Sequence, residues 1–343
     1  MVDTIYINST EPLENMVRLN GTTWTVYAGT LYGLTPLSLV WALLNLITYV
    51  ILWKKPFRKA TLFKYFKLNV LNSLFLCLVL MTRFSVTVYK FDFTNSYAAM
   101  FYGNFIYAPL LSIFYLNGNL LDIFLVIERI QKVQPNEVTI RLIKLKYFWI
   151  FLFGLSVVIN IPNFLITTPG YVDIILNGSI LVRNYFITQT GFAITPLGKF
   201  VTYLMFFVRD FITLVIKVGL NIASIILTKK YFNKLSAHST AKFARKDSII
   251  ASNIISISTK KTYMATVDKN LTYIAVIMSV LSSCENLFFI ISYVYLIISF
   301  NQFGLTLYFF SNFMFAIKHC SNLFILYFFN NLFKEEFKKF FFH

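Results

Sequence analysis

Long apolar runs recur along the chain, separated by short polar or basic stretches, and their lengths set the expected secondary structure. A helix rises 1.5 Å per residue, so about 20 apolar residues cross a hydrocarbon core. Runs over approximately 29–53, 61–89, 98–127, 146–168, 199–228, 269–299 and 304–329 meet that requirement and predict seven transmembrane helices. The first stops at Lys54-Lys55-Pro56-Phe57-Arg58-Lys59, with lysines at a helix end and a proline just beyond. The second opens with Lys64 and Lys67, whose stems lie along apolar surface while their ammonium groups reach water. The third ends in Glu128-Arg129-Ile130. Stepping back from Arg129 by alternating four and three residues selects Leu125, Asp122, Gly118, Tyr115 and Leu111, which share one helix face. A carboxylate at Asp122 is costly against lipid, so this face is expected to look into a helix bundle or a watery cavity. The fourth run carries Pro162 deep inside, where tertiary contacts or water satisfy the freed carbonyl.

Between the runs the chain changes character. Residues 169–198 read as a long polar-aromatic connection, and 229–268, rich in Lys, Ser and Thr, as an exposed linker with a helical extension at either side. In the tail, 330–343, Phe333, Phe337 and Phe340 recur at i, i+4 and i+7 with charges between them. That pattern predicts a short amphipathic helix lying along a membrane surface, where aromatic burial and lysine attraction to anionic lipid act together. The expected fold class is therefore an all-α membrane protein: a seven-transmembrane helix bundle over 29–329 with a short C-terminal amphipathic helix.

Composition agrees: 57% of residues are hydrophobic, 39 are Phe and 21 Tyr, and only 13% are charged, too little polar surface to cover a soluble domain. A net charge of +17 would suit nucleic acid, but the basic residues follow membrane topology instead. With the N-terminus outside, most of the 31 Lys and Arg fall on the inner side, and only Arg18, Lys90, Arg183 and Lys199 on the outer. The positive-inside rule thus predicts an extracellular segment 1–28, a third cytoplasmic loop over 229–268 and a cytoplasmic tail. The acceptor sequons at Asn8, Asn20 and Asn177 land outside in the same arrangement, as glycosylation requires. The 3 cysteines, Cys77, Cys284 and Cys320, lie far apart in apolar runs and indicate neither a disulfide scaffold nor a zinc site. The N-terminus lacks the basic, apolar and small-residue order of a cleaved signal peptide. No Gly-rich phosphate loop, HExxH motif or half-to-half repeat stands out, so the expectation is a protein that is not an enzyme and takes no cofactor or metal.

The intramembrane charges are the candidate chemistry. Asp122 is either a buried polar residue that fixes helix packing or, with Arg129, part of a conformational switch. Arg209 and Asp210 are adjacent and cannot point the same way on a helix, so one is expected inside and the other at an interface or neighbouring helix. Lys318 and Glu285, from neighbouring runs near mid-membrane, are the expected pair; Arg83 and Lys217 complete the set. The same charges could line a permeation path, which keeps a polytopic transporter or channel as the alternative. Most of the aromatic excess reads as helix packing and lipid contact.

On these residues the chain resembles a rhodopsin-like G-protein-coupled receptor, most closely the divergent chemoreceptor and peptide-receptor-like forms of invertebrates such as nematodes. Glu128-Arg129-Ile130 resembles the family's acidic-Arg-aromatic motif with an aliphatic last position. Asn45 in Leu44-Asn45-Leu46-Ile47 is similar to the first-helix asparagine, and Trp149 to the fourth-helix tryptophan. Tyr327, followed by Asn330-Asn331-Leu332-Phe333-Lys334, resembles the tyrosine and membrane-parallel helix at the inner end. The resemblance covers roughly 25–341. It implies a plasma-membrane, multi-pass receptor that passes binding of an extracellular small molecule or peptide to a heterotrimeric G protein, with membrane lipids but not nucleic acid as further partners.

It also implies roles. Asp122, Glu128, Arg129 and Tyr327 are the expected signalling switch, with Arg129 restraining the resting state and then contacting the G protein; the plainer reading is that Arg129 snorkels to headgroups. Tyr107, Leu111, Tyr115, Arg209 and Glu285 are the expected ligand-pocket residues, in the outer halves of helices three, five, six and seven. Several family features are missing. The third-helix cysteine position holds Asn104 and the long outer loop has no cysteine, so the usual disulfide is absent. Leu111 stands where amine receptors carry an aspartate, and the second helix has no acidic residue for a sodium site. Cys284-Glu285-Asn286-Leu287 keeps only the cysteine of the sixth-helix motif, and the run into Tyr327 lacks the proline.

Overall fold

The computed structural model describes residues 5–6, 35–58, 61–88, 97–133, 145–176, 179–243, 273–292, 294–295 and 302–342. Helix α1 covers Thr35–Leu52 and α2 Thr61–Val88, joined through a 3-10 turn at Lys55–Phe57 that begins at the proline. Helix α3 runs from Tyr97–Tyr102 through a π-helical turn, Gly103–Tyr107, into Ala108–Val133. Helix α4 covers Leu145–Asn160, with a single further turn at Asn163–Ile166. Helix α5 comprises Pro196–Phe206, a second π-helical turn at Phe207–Ile212, and Thr213–Phe243. Helix α6 spans Tyr273–Ser292, α7 Gln302–Phe329 and α8 Asn331–Phe342. Among the described residues, five helices are long and apolar enough to cross a membrane; the apolar part of α1, Pro36–Leu52, is shorter. The protein is an α-helical, multi-spanning membrane protein.

Two boundaries differ from the sequence reading, each for a local reason. The fourth helix ends at Asn160 rather than continuing through Pro162, because proline disfavours helical geometry in Ile161 and cannot donate to the ladder. The fifth begins at Pro196, where Thr195 caps it by accepting from the Gly198 amide at 3.0 Å. Its continuation to Phe243 is the helical extension expected past 228, through Lys- and Ala-bearing sequence that forms helix without needing lipid. The rest of 229–268 lies outside the described residues, as do Asn8, Asn20 and Asn177.

Residues 169–198 are not a structureless connection. Strands β2, Thr167–Leu176, and β3, Ser179–Gln189, form an antiparallel hairpin from the Thr167–Gln189 pair to the Leu176–Ser179 pair, with a bulge at Ile174/Ile175. The short strand β1, Ile5–Tyr6, adds parallel to β2, giving the order β1-β2-β3.

The apolar core lies at the end of the bundle where α1 turns into α2 and α7 into α8. Ile51, Leu52, Phe57, Phe66, Leu125, Phe148, Ile274, Leu326 and Phe333 are buried there together. Phe57 from the turn packs edge-on to Phe63, 5.0 Å between ring centres, and Phe333 of α8 tilts against Phe57 at 6.2 Å. Glu336 of α8 pairs with Lys54 at 3.1 Å, so α8 is fastened to the end of α1 by both ring packing and charge. Asn330 caps α8, its side-chain oxygen accepting from the Phe333 amide at 3.0 Å.

Candidate functional site

The other half of the buried interior is polar, and its centre is a set of four charges from four helices. Asp122 of α3, Lys217 of α5, Glu285 of α6 and Lys318 of α7 are all buried. The Lys318 ammonium stands 3.2 Å from Asp122 Oδ2 and 3.5 Å from Glu285 Oε2, and Lys217 Nζ stands 3.6 Å from Asp122 Oδ2. Two carboxylates and two ammonium groups make the set neutral, the condition under which charge survives in a low-dielectric interior. The pair singled out in the sequence, Lys318 with Glu285, is therefore part of a larger unit. Lys217, one of the intramembrane charges read from the sequence, joins that unit, whereas the neutral polar groups around it were not singled out. A lone cation inside an otherwise apolar run was the available signal for Lys217.

Neutral amides and hydroxyls close the cluster. Asn69 of α2 donates to Asp122 Oδ1 at 2.8 Å, Lys217 donates to Asn119 Oδ1 at 2.6 Å, and Lys217 also donates to Ser282 of α6. Next to the cluster the Tyr115 hydroxyl donates to Asn286 Oδ1 at 2.6 Å, with Phe289 and Phe315 against its ring. On the α1 side, Asn322 of α7 donates to Asn45 Oδ1 at 3.0 Å, and Asn45 donates to the His319 carbonyl at 3.0 Å. Ser73 and His319 Nδ1 share a hydrogen bond of 3.0 Å.

Gly118 lets the helices approach. A methyl group there would lie 2.9 Å from Asn72 Nδ2 and 4.0 Å from Lys318 Nζ. Asn72 uses that position to donate to the Phe114 carbonyl at 2.8 Å and to accept from Asn117 at 2.7 Å. The face Tyr115, Gly118, Asp122 read from helical spacing is thus the face of α3 turned to α2, α5, α6 and α7.

Arg209 and Asp210 correct the expectation that they diverge. Both are buried and they pair with each other: Arg209 Nη2 lies 2.7 Å from Asp210 Oδ2, and Nε donates to both carboxylate oxygens at 3.1 and 3.0 Å. The wide π-helical turn Phe207–Ile212 departs from the 100° step that separates neighbours on an α-helix, and the long guanidinium folds back across it. Arg209 Nη1 also reaches Asn160 Oδ1 of α4 at 3.5 Å.

The remaining sequence-selected residues occupy three places. Tyr107 ends the π-helical turn of α3, and Leu111 follows one helical turn later; both are half-buried. Arg129 is 2% exposed near the other end of α3, with Glu128 half-buried beside it. Tyr327 packs edge-on to Phe337 of α8 at 5.2 Å and lies under the Lys334 ammonium at 5.6 Å. Of the ligand-pocket candidates, Tyr115 and Glu285 are brought to one cluster; Arg209 is engaged with Asp210. Asp122 turns to Lys318 and Lys217.

At the far end, Asn104 does what a covalent link does elsewhere. Its amide donates to the Thr167 carbonyl at 2.8 Å and its oxygen accepts from the Thr167 hydroxyl. Thr167 opens β2, so this reciprocal pair ties the hairpin to the π-helical turn of α3. Among the described residues, no group of three or more His, Cys, Asp or Glu is placed to hold a metal ion.

No protein-family model matches the chain, and no curated protein does. Among solved structures, the crystal structure of squid rhodopsin superimposes with a TM-score of 0.63, over 92% of this chain and 85% of that one, at 13% sequence identity. The fold is rhodopsin-like. At that identity the likeness is one of backbone arrangement, and the side-chain chemistry of the rhodopsin-like bundle has to be read from its own residues. Here that chemistry is the neutral tetrad of Asp122, Lys217, Glu285 and Lys318.

Proposed function

We propose that the chain is a G-protein-coupled receptor of the plasma membrane: a seven-helix bundle with its N-terminus outside and its tail inside. It detects an extracellular small molecule or peptide and passes that event to a heterotrimeric G protein. The rhodopsin-like fold supports a receptor-like membrane protein. The observation that carries the reading is the tetrad, in which Lys318 of α7 joins Asp122 of α3 to Glu285 of α6, and Lys217 joins α5 to Asp122. A ligand-driven displacement of α6 has to move Glu285 relative to Lys318, and the released charges then need new partners. Such a cluster is bistable rather than continuously deformable, as a two-state receptor requires. Asp122 and Glu285 are each only 1% exposed and ion-paired, which favours a closed switch over the lining of a permeation path.

In this reading Arg129, buried near the other end of α3, is the group that meets the G protein when the bundle opens. Its multi-donor fork loses less by local pairing than by facing apolar side chains, so it restrains the resting state. A pooled ligand screen in cells carrying a broad reporter of G-protein activation tests the function. An activating ligand then tests the switch: Arg129→Ala should keep surface level and ligand binding and lose nucleotide exchange. Full agonist-stimulated exchange by that variant would remove the assigned role. Epitope tags at the two termini, stained before and after permeabilisation, check the orientation independently.

A further inference from the structure

At the α1–α2 turn three cations gather beside one exposed indole, and one of them lies over its ring. Trp53 is 52% exposed; the Lys67 ammonium lies 5.2 Å over its ring, and Arg58 donates from Nε to the Trp53 carbonyl at 3.0 Å. Arg58 and Lys64 are exposed, and both lie close enough to Lys67 for their charges to act on it. Among the described residues no carboxylate pairs with Arg58, Lys64 or Lys67; Glu336, the acid across the turn, is engaged by Lys54 and Lys339. The first turn of α2, starting at Thr61, adds the partial positive charge of its free amides between Arg58 and Lys64. Like charges held this close repel, and the arrangement is relieved by an anion.

A second feature says what carries that anion. Leu39, Leu43, Leu46, Val50 and Trp53 are all exposed, between 41% and 52%, and their spacings of four and three place them on one face of α1. An open apolar stripe therefore runs along α1 and ends at the indole beneath Lys67. An acyl chain fits the stripe and a phosphorylated headgroup fits its end. A single phosphate would leave most of the positive charge uncompensated, whereas a headgroup with two or more phosphates matches it.

We propose that the α1–α2 turn binds a membrane lipid with a multiply phosphorylated headgroup, held by Arg58, Lys64 and Lys67 with its acyl chain along the α1 stripe that ends at Trp53. The inner leaflet as the source of that lipid rests on the orientation proposed above. The binding itself does not, since a nanodisc exposes both faces of the bundle.

The test uses the full-length protein in phosphatidylcholine nanodiscs doped with a bisphosphorylated phosphoinositide, with phosphatidylserine at matched total charge, or with neither, and bound lipid read by native mass spectrometry. The triple variant R58Q/K64Q/K67Q should lose about 100-fold in affinity for the bisphosphorylated lipid, at a few-fold for each cation. The control K199Q/K229Q/K230Q, which removes as many exposed charges away from the turn and from α8, should stay within about threefold. If the triple variant unfolds, R58Q alone, at an exposed position, should still weaken binding about fivefold. Equal losses in the two triple variants, or equal retention of phosphatidylserine, would reduce the site to diffuse attraction and overturn it. So would soluble inositol phosphate binding as tightly as the lipid, which would mark a phosphate site without a lipid. Inverted terminal tags alongside selective lipid binding would move the site to the other leaflet and overturn the orientation alone.

Discussion

Replacing Lys318 by methionine removes the one cation shared by both carboxylates of the tetrad. Asp122 keeps Lys217 at 3.6 Å and the Asn69 amide at 2.8 Å. Glu285, 1% exposed, keeps no ion pair among the described residues, since Lys318 at 3.5 Å is the one it has. Breaking a buried pair from one side strands the other charge and costs about 3–5 kcal/mol. At an unfolding entropy of about 2.1 cal/mol/K per residue, that corresponds over 343 residues to a fall in Tm of roughly 4–7 °C. The double variant K318M/E285Q removes one charge of each sign and leaves Asp122 with Lys217. It should recover to within about 1–2 kcal/mol of the native protein, because a neutralised pair is far cheaper than a broken one. Thermal unfolding in nanodiscs with a thiol-reactive dye reads this directly, since Cys77 is fully buried and reports opening of the bundle. A double variant as unstable as K318M, or a K318M protein as stable as the native one, would refute the argument that electroneutrality of the cluster holds it together.

Gly118→Ala forces a methyl group to 2.9 Å from Asn72 Nδ2 and should lower stability by about 1–3 kcal/mol. Gly154→Ala, where nothing lies within 4 Å, should be neutral or stabilising in the same unfolding assay. Asn104→Ala leaves the Thr167 carbonyl without its donor, so hydrogen exchange in β2 and β3 should accelerate while that of α6 and α7 stays unchanged. Glu336 is held below the usual glutamate range by hydrogen bonds from Lys339 and then Lys54. A depressed carboxylate contributes stability that is present above the unfolded value, about 4.3, and is lost as pH falls through the lower folded one. A spin label on α8 should therefore gain mobility on acidification below about pH 4, and the Glu336→Gln variant should show no such step.

How much of this architecture could be read from residue order depends on how local the cause is. Apolar length is local, so the helices were legible, and so was the Phe333, Phe337, Phe340 face of α8. The hairpin was not, because its strands are mostly apolar on both faces, without the alternation that marks a half-buried strand. The one strong signal is Asn177-Gly178 between two β-branched runs, a pair that serves both an acceptor sequon and the positive φ that a two-residue turn favours. The helical extension of α5 past 228 was expected, but its end at Phe243 was not legible, because once a helix leaves the membrane hydropathy no longer marks it.

The site is harder, since it is assembled from helices far apart in sequence, yet electroneutrality narrows it more than spacing does. Leaving aside Arg83, the intramembrane acids are Asp122, Asp210 and Glu285, and the intramembrane bases are Arg209, Lys217 and Lys318. Stranding any of them in a low-dielectric interior is expensive, so each needs an opposite charge. Arg209 and Asp210 are neighbours in the chain, and a long guanidinium across a widened helical turn can satisfy Asp210 locally. Once that pair is set aside, two acids and two bases remain on four different helices, and the cheapest arrangement brings all four together. Helical spacing had already turned Asp122 and Gly118 to the same face, and Gly118 is where another helix can approach closely enough to deliver a lysine. Because adjacent Arg209 and Asp210 pair with each other, the tetrad follows from charge balance and one glycine.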